Sequence, residues 1–182
     1  MRPKSWLARR DDSVLVVIDV QDRLLRHIHG GEAVLDRTVR LVRVARTLGV
    51  PVVWTEQEKL GDTTARLAGA LEGLKPVRKL SFGCFGCGPF VEALEATGRN
   101  TLVLAGIEAH ICVAQTALQA LHEFDVHVVA DAVGSRSPVD RDTALARLRQ
   151  AGAVVTTWEA VVYEWMERAG TDAFRAVLPL VK

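Results

Sequence analysis

Apolar residues along this chain fall into two kinds of run. The first kind is short and unbroken, as in Val14 to Val20 (VLVVIDV), where Asp19 is the one polar interruption. Val50 to Trp54, Thr101 to Gly106 and Ala153 to Thr157 are further runs, Val126 to Val133 is another that His127 and Asp131 interrupt, and Val77 to Leu80 is a shorter one with Arg78 and Lys79 inside it. The second kind has helical spacing. Val34, Leu35, Val39, Val42, Ala45 and Leu48 mark a helix over Glu32 to Leu48, which Gly49 stops. Ile111, Ala114, Leu118 and Leu121 mark another over His110 to Phe124. Ser137-Pro138-Val139-Asp140 carries helix-start signals. Ser137 can cap, Pro138 fits the first helical position, and the helix runs on to Gly152. Weaker helical stretches cover Ala65 to Leu71 and Pro89 to Thr97, a polar loop covers Thr55 to Thr64, and one or two helices finish the chain.

Strands that are apolar throughout, rather than alternating, have both faces covered. Their alternation with helices predicts an α/β fold. The expectation is a single domain over residues 1–182 in three layers, α/β/α, around a parallel six-stranded sheet of order 3-2-1-4-5-6. No linker, repeat or low-complexity tract divides the chain.

In such a sheet the ligand crevice lies beyond the carboxyl ends of the strands, where strand order reverses. Asp19 ends the first strand, Lys79 ends the third, and Cys112 follows the fourth in the first turn of a helix. These residue types suit nucleophilic catalysis. A thiol attacks as thiolate, and a helix start and a lysine both lower its pKa. Asp19 would take the thiol proton and return it to a leaving amine. A carboxylate alone opposes thiolate formation, and the lysine offsets it. Each residue also has an ordinary reading: Asp19 as a turn former, Cys112 as a small buried hydrophobe, Lys79 as a solvated cation.

Composition narrows the class. Net charge is +1 with basic residues scattered, which gives no nucleic-acid footprint. Arg40, Arg43 and Arg46 read as one solvated helix face. No apolar run approaches the roughly 18–20 residues of a membrane span. Met1 to Asp12 has no apolar segment before a small-residue cleavage site, so a cytoplasmic location is expected. The cysteines number 3, an odd count that makes a poor disulfide framework, and free thiols are expected.

Three strings in order, Val16-Val17-Ile18-Asp19-Val20-Gln21, Lys79-Leu80-Ser81-Phe82 and Gly106-Ile107-Glu108-Ala109-His110-Ile111-Cys112-Val113, resemble the isochorismatase-like cysteine hydrolases. The resemblance covers roughly Ser13 to Val162. It implies an Asp-Lys-Cys triad at Asp19, Lys79 and Cys112. It also implies a cis peptide between Ile107 and Glu108, and an oxyanion hole from the backbone N–H groups of Glu108 and Cys112. The implied chemistry is attack on an amide-like carbonyl of a small molecule, loss of amine and hydrolysis of a thioester, in a homo-oligomer. Nicotinamidases of this family carry a metal-binding Asp and two His between the second and third strands. Thr55 to Asp62 holds no His, so no metal and no cofactor are expected. Isochorismatases proper lack the nucleophilic cysteine, so the reaction that names the family is not expected either.

Gln21, Gln57, Phe82 and His110 are candidates for substrate contact, each with a structural alternative: local hydrogen bonding for the polar residues and core packing for Phe82. Trp158 and Trp165 read as packing or interface residues. Cys84-Phe85-Gly86-Cys87 is a C-x-x-C pair and supports a second hypothesis, a thiol redox protein. Zinc would need further ligands, and nothing places His27 and His29 nearby. Gly83, Gly86 and Gly88 do not match a dinucleotide fingerprint. A hydrolase-like domain that binds without turnover is the third hypothesis.

Overall fold

The unbroken apolar runs become the strands of one parallel sheet. In the computed structural model, which describes residues 5–182, β1 is Ser13–Ile18, β2 Val52–Gln57, β3 Val77–Lys79, β4 Thr101–Ile107, β5 Asp125–Gly134 and β6 Val154–Thr156. The strand order is 3-2-1-4-5-6 and every pairing is parallel, as the pattern predicts. All six residues of β1 and all seven of β4 are buried, which is why neither alternates.

Among the described residues eight α-helices accompany the sheet: α1 Asp22–Leu25, α2 Gly31–Leu48, α3 Ala65–Ala70, α4 Gly88–Glu95, α5 Ala114–Ala120, α6 Pro138–Ala151, α7 Trp158–Met166 and α8 Asp172–Val181. Leu15 and Val17 of β1 face a core filled by α2, α7 and α8. Val14, Val16 and Ile18 face the other, filled by α4, α5 and α6. Trp165 is fully buried and Trp158 nearly so, so both pack the first core; Arg37 and Arg40 stack over the Trp158 ring. No helix among the described residues is long and apolar enough to cross a membrane. The reading of the N-terminal stretch rests in part on residues 1–4, which lie outside the described residues.

The structure departs from the pattern in four places. β2 continues through Thr55, Glu56 and Gln57, which pair with Val77, Arg78 and Lys79 instead of starting a loop. Their polarity hides the strand, because buried partners satisfy them. The expected helix from His110 to Phe124 opens with a π-helical turn over Ala109–Val113 and is α-helical only over Ala114–Ala120. Ser137 sits at the N-cap of α6 but its side chain makes no capping bond. The single turn α1 had no pattern to announce it.

Gly106 of β4, whose φ is 119°, lies directly against Ile18 of β1. A Cβ there would lie 2.1 Å from the carbonyl oxygen of Ile18, a backbone atom that cannot swing aside. Gly106→Ala is therefore expected to cost about 3 kcal/mol or more. Chemical denaturation would show this as a lowered midpoint. An unchanged midpoint would mean that the two strands can separate without cost.

Candidate active site

The strand ends bring together the residues that the pattern placed there. β1 stops where Asp19 turns the chain into the left-handed region, with φ 52°. Asp tolerates that conformation better than most residues, and the turn lifts its carboxylate out of the strand ladder. Asp19 is fully buried and Lys79 is 1 % exposed. Lys79 Nζ lies 2.7 Å from Asp19 Oδ2. The ammonium also donates to Gln57 Oε1 at 2.8 Å and to the carbonyls of Ser81 and Phe82 at 3.1 and 3.2 Å. These acceptors offset the cost of burying the ammonium.

The other carboxylate oxygen, Asp19 Oδ1, accepts from Thr55 Oγ1 at 2.7 Å. Cys112 sits in the π-helical turn after β4, nearly buried, with its thiol hydrogen-bonded to Asp19. Burial pushes this thiol up to about 12, and the Asp19 charge adds to the rise while Lys79 opposes it. Lys79 lowers the thiol as the sequence suggests, but burial and the Asp19 carboxylate outweigh it. Cys112 is therefore held as a thiol at neutral pH.

The peptide bond between Ile107 and Glu108 is cis. The Glu108 carbonyl accepts from the N–H groups of Ile111 and Val113. Its side chain turns away and pairs with Arg136, Nη2 to Oε1 at 2.7 Å. Burial opposes ionisation of Glu108, but Arg136 outweighs it and holds the carboxyl below its usual range.

The remaining candidates divide. Gln57 points its amide oxygen at Lys79, and its Nε2 donates to the Leu80 carbonyl at 2.8 Å. The Gln21 amide is taken up by backbone, donating to the carbonyls of Gln57 and Gly61 and accepting from Gln57 N–H. His110 Nδ1 is 2.9 Å from Ser135 Oγ. Phe82 is 56 % exposed although its carbonyl holds Lys79. A neighbouring cavity of about 420 Å³ is lined by Gln57, Glu56, Glu58, Lys59, Asp62 and Arg78 among others, and not by Asp19, Lys79 or Cys112.

All three cysteines are free. Burial pushes the Cys84 thiol up to about 11, and it hydrogen-bonds the side chains of Thr116 and Thr55. Cys87 Sγ instead donates to the Arg78 carbonyl at 3.5 Å. Among the described residues no group of His, Cys, Asp and Glu is arranged to hold a metal ion. Thr55, Thr116 and Arg136 were missed by the sequence reading, which weighed Cys84 only as half of a C-x-x-C pair and Glu108 only for its backbone. Only Thr55 gave a signal, as a polar residue at the end of an apolar run.

A doubly wound parallel sheet with a buried carboxylate, ammonium and thiol at its reversal point defines a hydrolase-type α/β domain. The Isochorismatase domain model matches residues 13–160, and the chain belongs to that family. It is 37 % identical over 178 residues to mouse isochorismatase domain-containing protein 2A, spanning 94 % of this chain and 84 % of the relative. Its fold is similar to a solved structure described as MAR1 ribonuclease from Caenorhabditis elegans, with TM-score 0.89 and 34 % identity over 95 % of this chain and 91 % of that one. It is also similar to the YcaC gene product of Escherichia coli, described as an octameric hydrolase of unknown specificity, with TM-score 0.90 and 26 % identity over 99 % and 91 % of the two chains.

Because the Asp19 charge raises the Cys112 thiol and Lys79 lowers it, the two partners should move its titration in opposite directions. Asp19→Asn is expected to bring thiolate formation to lower pH, and Lys79→Met to move it higher, each by about one unit or more. Ultraviolet thiolate titration in a Cys84→Ala, Cys87→Ala background would read this. Shifts of the same sign would show that Cys112 does not feel the pair.

Proposed function

We propose that this protein is a cysteine hydrolase that cleaves the C–N bond of a small amide, imide or related acyl compound through a thioester on Cys112. The observation that carries the reading is the buried Asp19–Lys79 ion pair with the Cys112 thiol hydrogen-bonded to its carboxylate. Asp19 takes the thiol proton as sulfur attacks the carbonyl carbon. Lys79 stays cationic and compensates whichever partner then carries the negative charge. The N–H groups of Glu108 and Cys112 hold the oxyanion. The C–N bond breaks, and the amine leaves with the proton from Asp19. Water then attacks the thioester, giving up a proton to Asp19, and that proton returns to sulfur.

Gln57 keeps Lys79 in register, Phe82 and His110 border the substrate, and Gln21 shapes the site by fixing the Gln57 backbone. The redox reading draws no support from Cys84 and Cys87, which turn toward different partners. A homo-oligomer accompanies the hydrolase reading, supported by exposed Leu80 and Phe82 beside the site and by the octameric relative.

The test is turnover of a panel of small primary amides, cyclic imides and acyl ureas, with single-stranded RNA as a comparison. At least one amide or imide should be hydrolysed, with loss of about a thousandfold or more in kcat for Cys112→Ala. Turnover that survives Cys112→Ala, or is confined to RNA, would contradict the reading.

A further inference from the structure

Proton transfer between Cys112 and Asp19 has a third participant beside the lysine. We propose that Thr55 is the positioning residue for that transfer: its hydroxyl and carbonyl together clamp Asp19 so that the carboxylate faces the thiol. The inference rests on the hydrolase reading above and deepens it.

The geometry is a two-point attachment. Thr55 stands opposite Ile18 in the β1–β2 register. Its carbonyl accepts the Asp19 N–H at 3.2 Å, just where the chain enters the left-handed turn. Its hydroxyl donates to Asp19 Oδ1 at 2.7 Å. Lys79 holds Oδ2 at the same distance. Each carboxylate oxygen thus has one short donor, Oδ1 from β2 and Oδ2 from the end of β3, and the plane of the carboxyl group is fixed. Thr55 is 1 % exposed, so water does not compete for either bond.

The hydroxyl proton is also fixed in direction. A threonine hydroxyl has one proton and two acceptor lone pairs. An ionised carboxylate has only acceptors to offer. The Thr55 hydroxyl is therefore the donor in the 2.7 Å contact with Asp19 Oδ1. A donor aimed at a carboxylate favours its charged form, the form that can accept a proton from Cys112. Valine would fill the same space without the proton, and serine would restore the proton without the methyl.

The test follows alkylation of Cys112 by iodoacetamide against pH, by peptide-resolved mass spectrometry, with Cys87 as the control thiol. Wild type should show an acid limb, where protonation of Asp19 removes the base, and Asp19→Asn should abolish it. In Thr55→Val that limb is expected to move to higher pH by about one unit, and in Thr55→Ser to return to its wild-type position. A general loosening would change the rate without moving the limb. An unmoved limb in Thr55→Val overturns the role of Thr55 while leaving Asp19 as base. Absence in wild type of any limb that Asp19→Asn removes would instead overturn the hydrolase reading, and the Thr55 role with it. Folding of each variant is read from its denaturation midpoint. If Thr55→Val does not fold, Thr55→Ala against Thr55→Ser decides by the same shift.

Discussion

A buried carboxylate and a buried ammonium can share a protein interior only together. Asp19 and Lys79 come from strand ends that are not adjacent, since β2 separates β1 from β3. Their 2.7 Å contact therefore spans the intervening strand. Removing one partner of such a pair typically costs about 3–5 kcal/mol, because the other charge is left without compensation. The pair sets requirements on everything near it. β2 has to supply polar side chains where an apolar strand would be cheaper, and it does so with Thr55 and Gln57. The loop after β3 has to turn two carbonyls back on Lys79, and Ser81 and Phe82 provide them.

In the mechanism we propose, the same pair explains why the nucleophile is held in reserve. Burial and the Asp19 charge keep Cys112 protonated. The sulfur is therefore shielded from indiscriminate reaction and becomes nucleophilic only when its proton moves onto the neighbouring carboxylate. This differs from a thiol activated by a helix terminus alone, where the thiolate stands ready at neutral pH. Catalysis in this arrangement depends on distance and orientation within the cluster more than on the resting charge of the sulfur.

The fold was legible because the strands are apolar on both faces, and that pattern admits few alternatives to a sheet covered on both sides. Asp19, Lys79 and Cys112 were legible because each punctuates or follows such a strand. The polar end of β2 was not. Thr55-Glu56-Gln57 reads as a loop until its buried partners are known, and those partners come from distant parts of the chain, as with the Thr63 N–H on Glu56 Oε1 at 2.8 Å. The direction of the Cys112 shift was illegible for a related reason. Sequence names the lysine and the carboxylate but gives no depth of burial, and here burial is the larger influence. Gln21 looked like a substrate contact for its place after Asp19, whereas its amide is spent on the backbone of β2 and the following loop.

The central claim is that acyl transfer passes through sulfur at Cys112. Rapid-quench mass spectrometry of the protein during turnover of a slow amide addresses it most directly. The account predicts a transient mass increase equal to the acyl group, mapped to the peptide containing Cys112 and discharged by hydroxylamine. Full turnover with no adduct at any time point, under quench conditions that preserve a thioester standard, would contradict it.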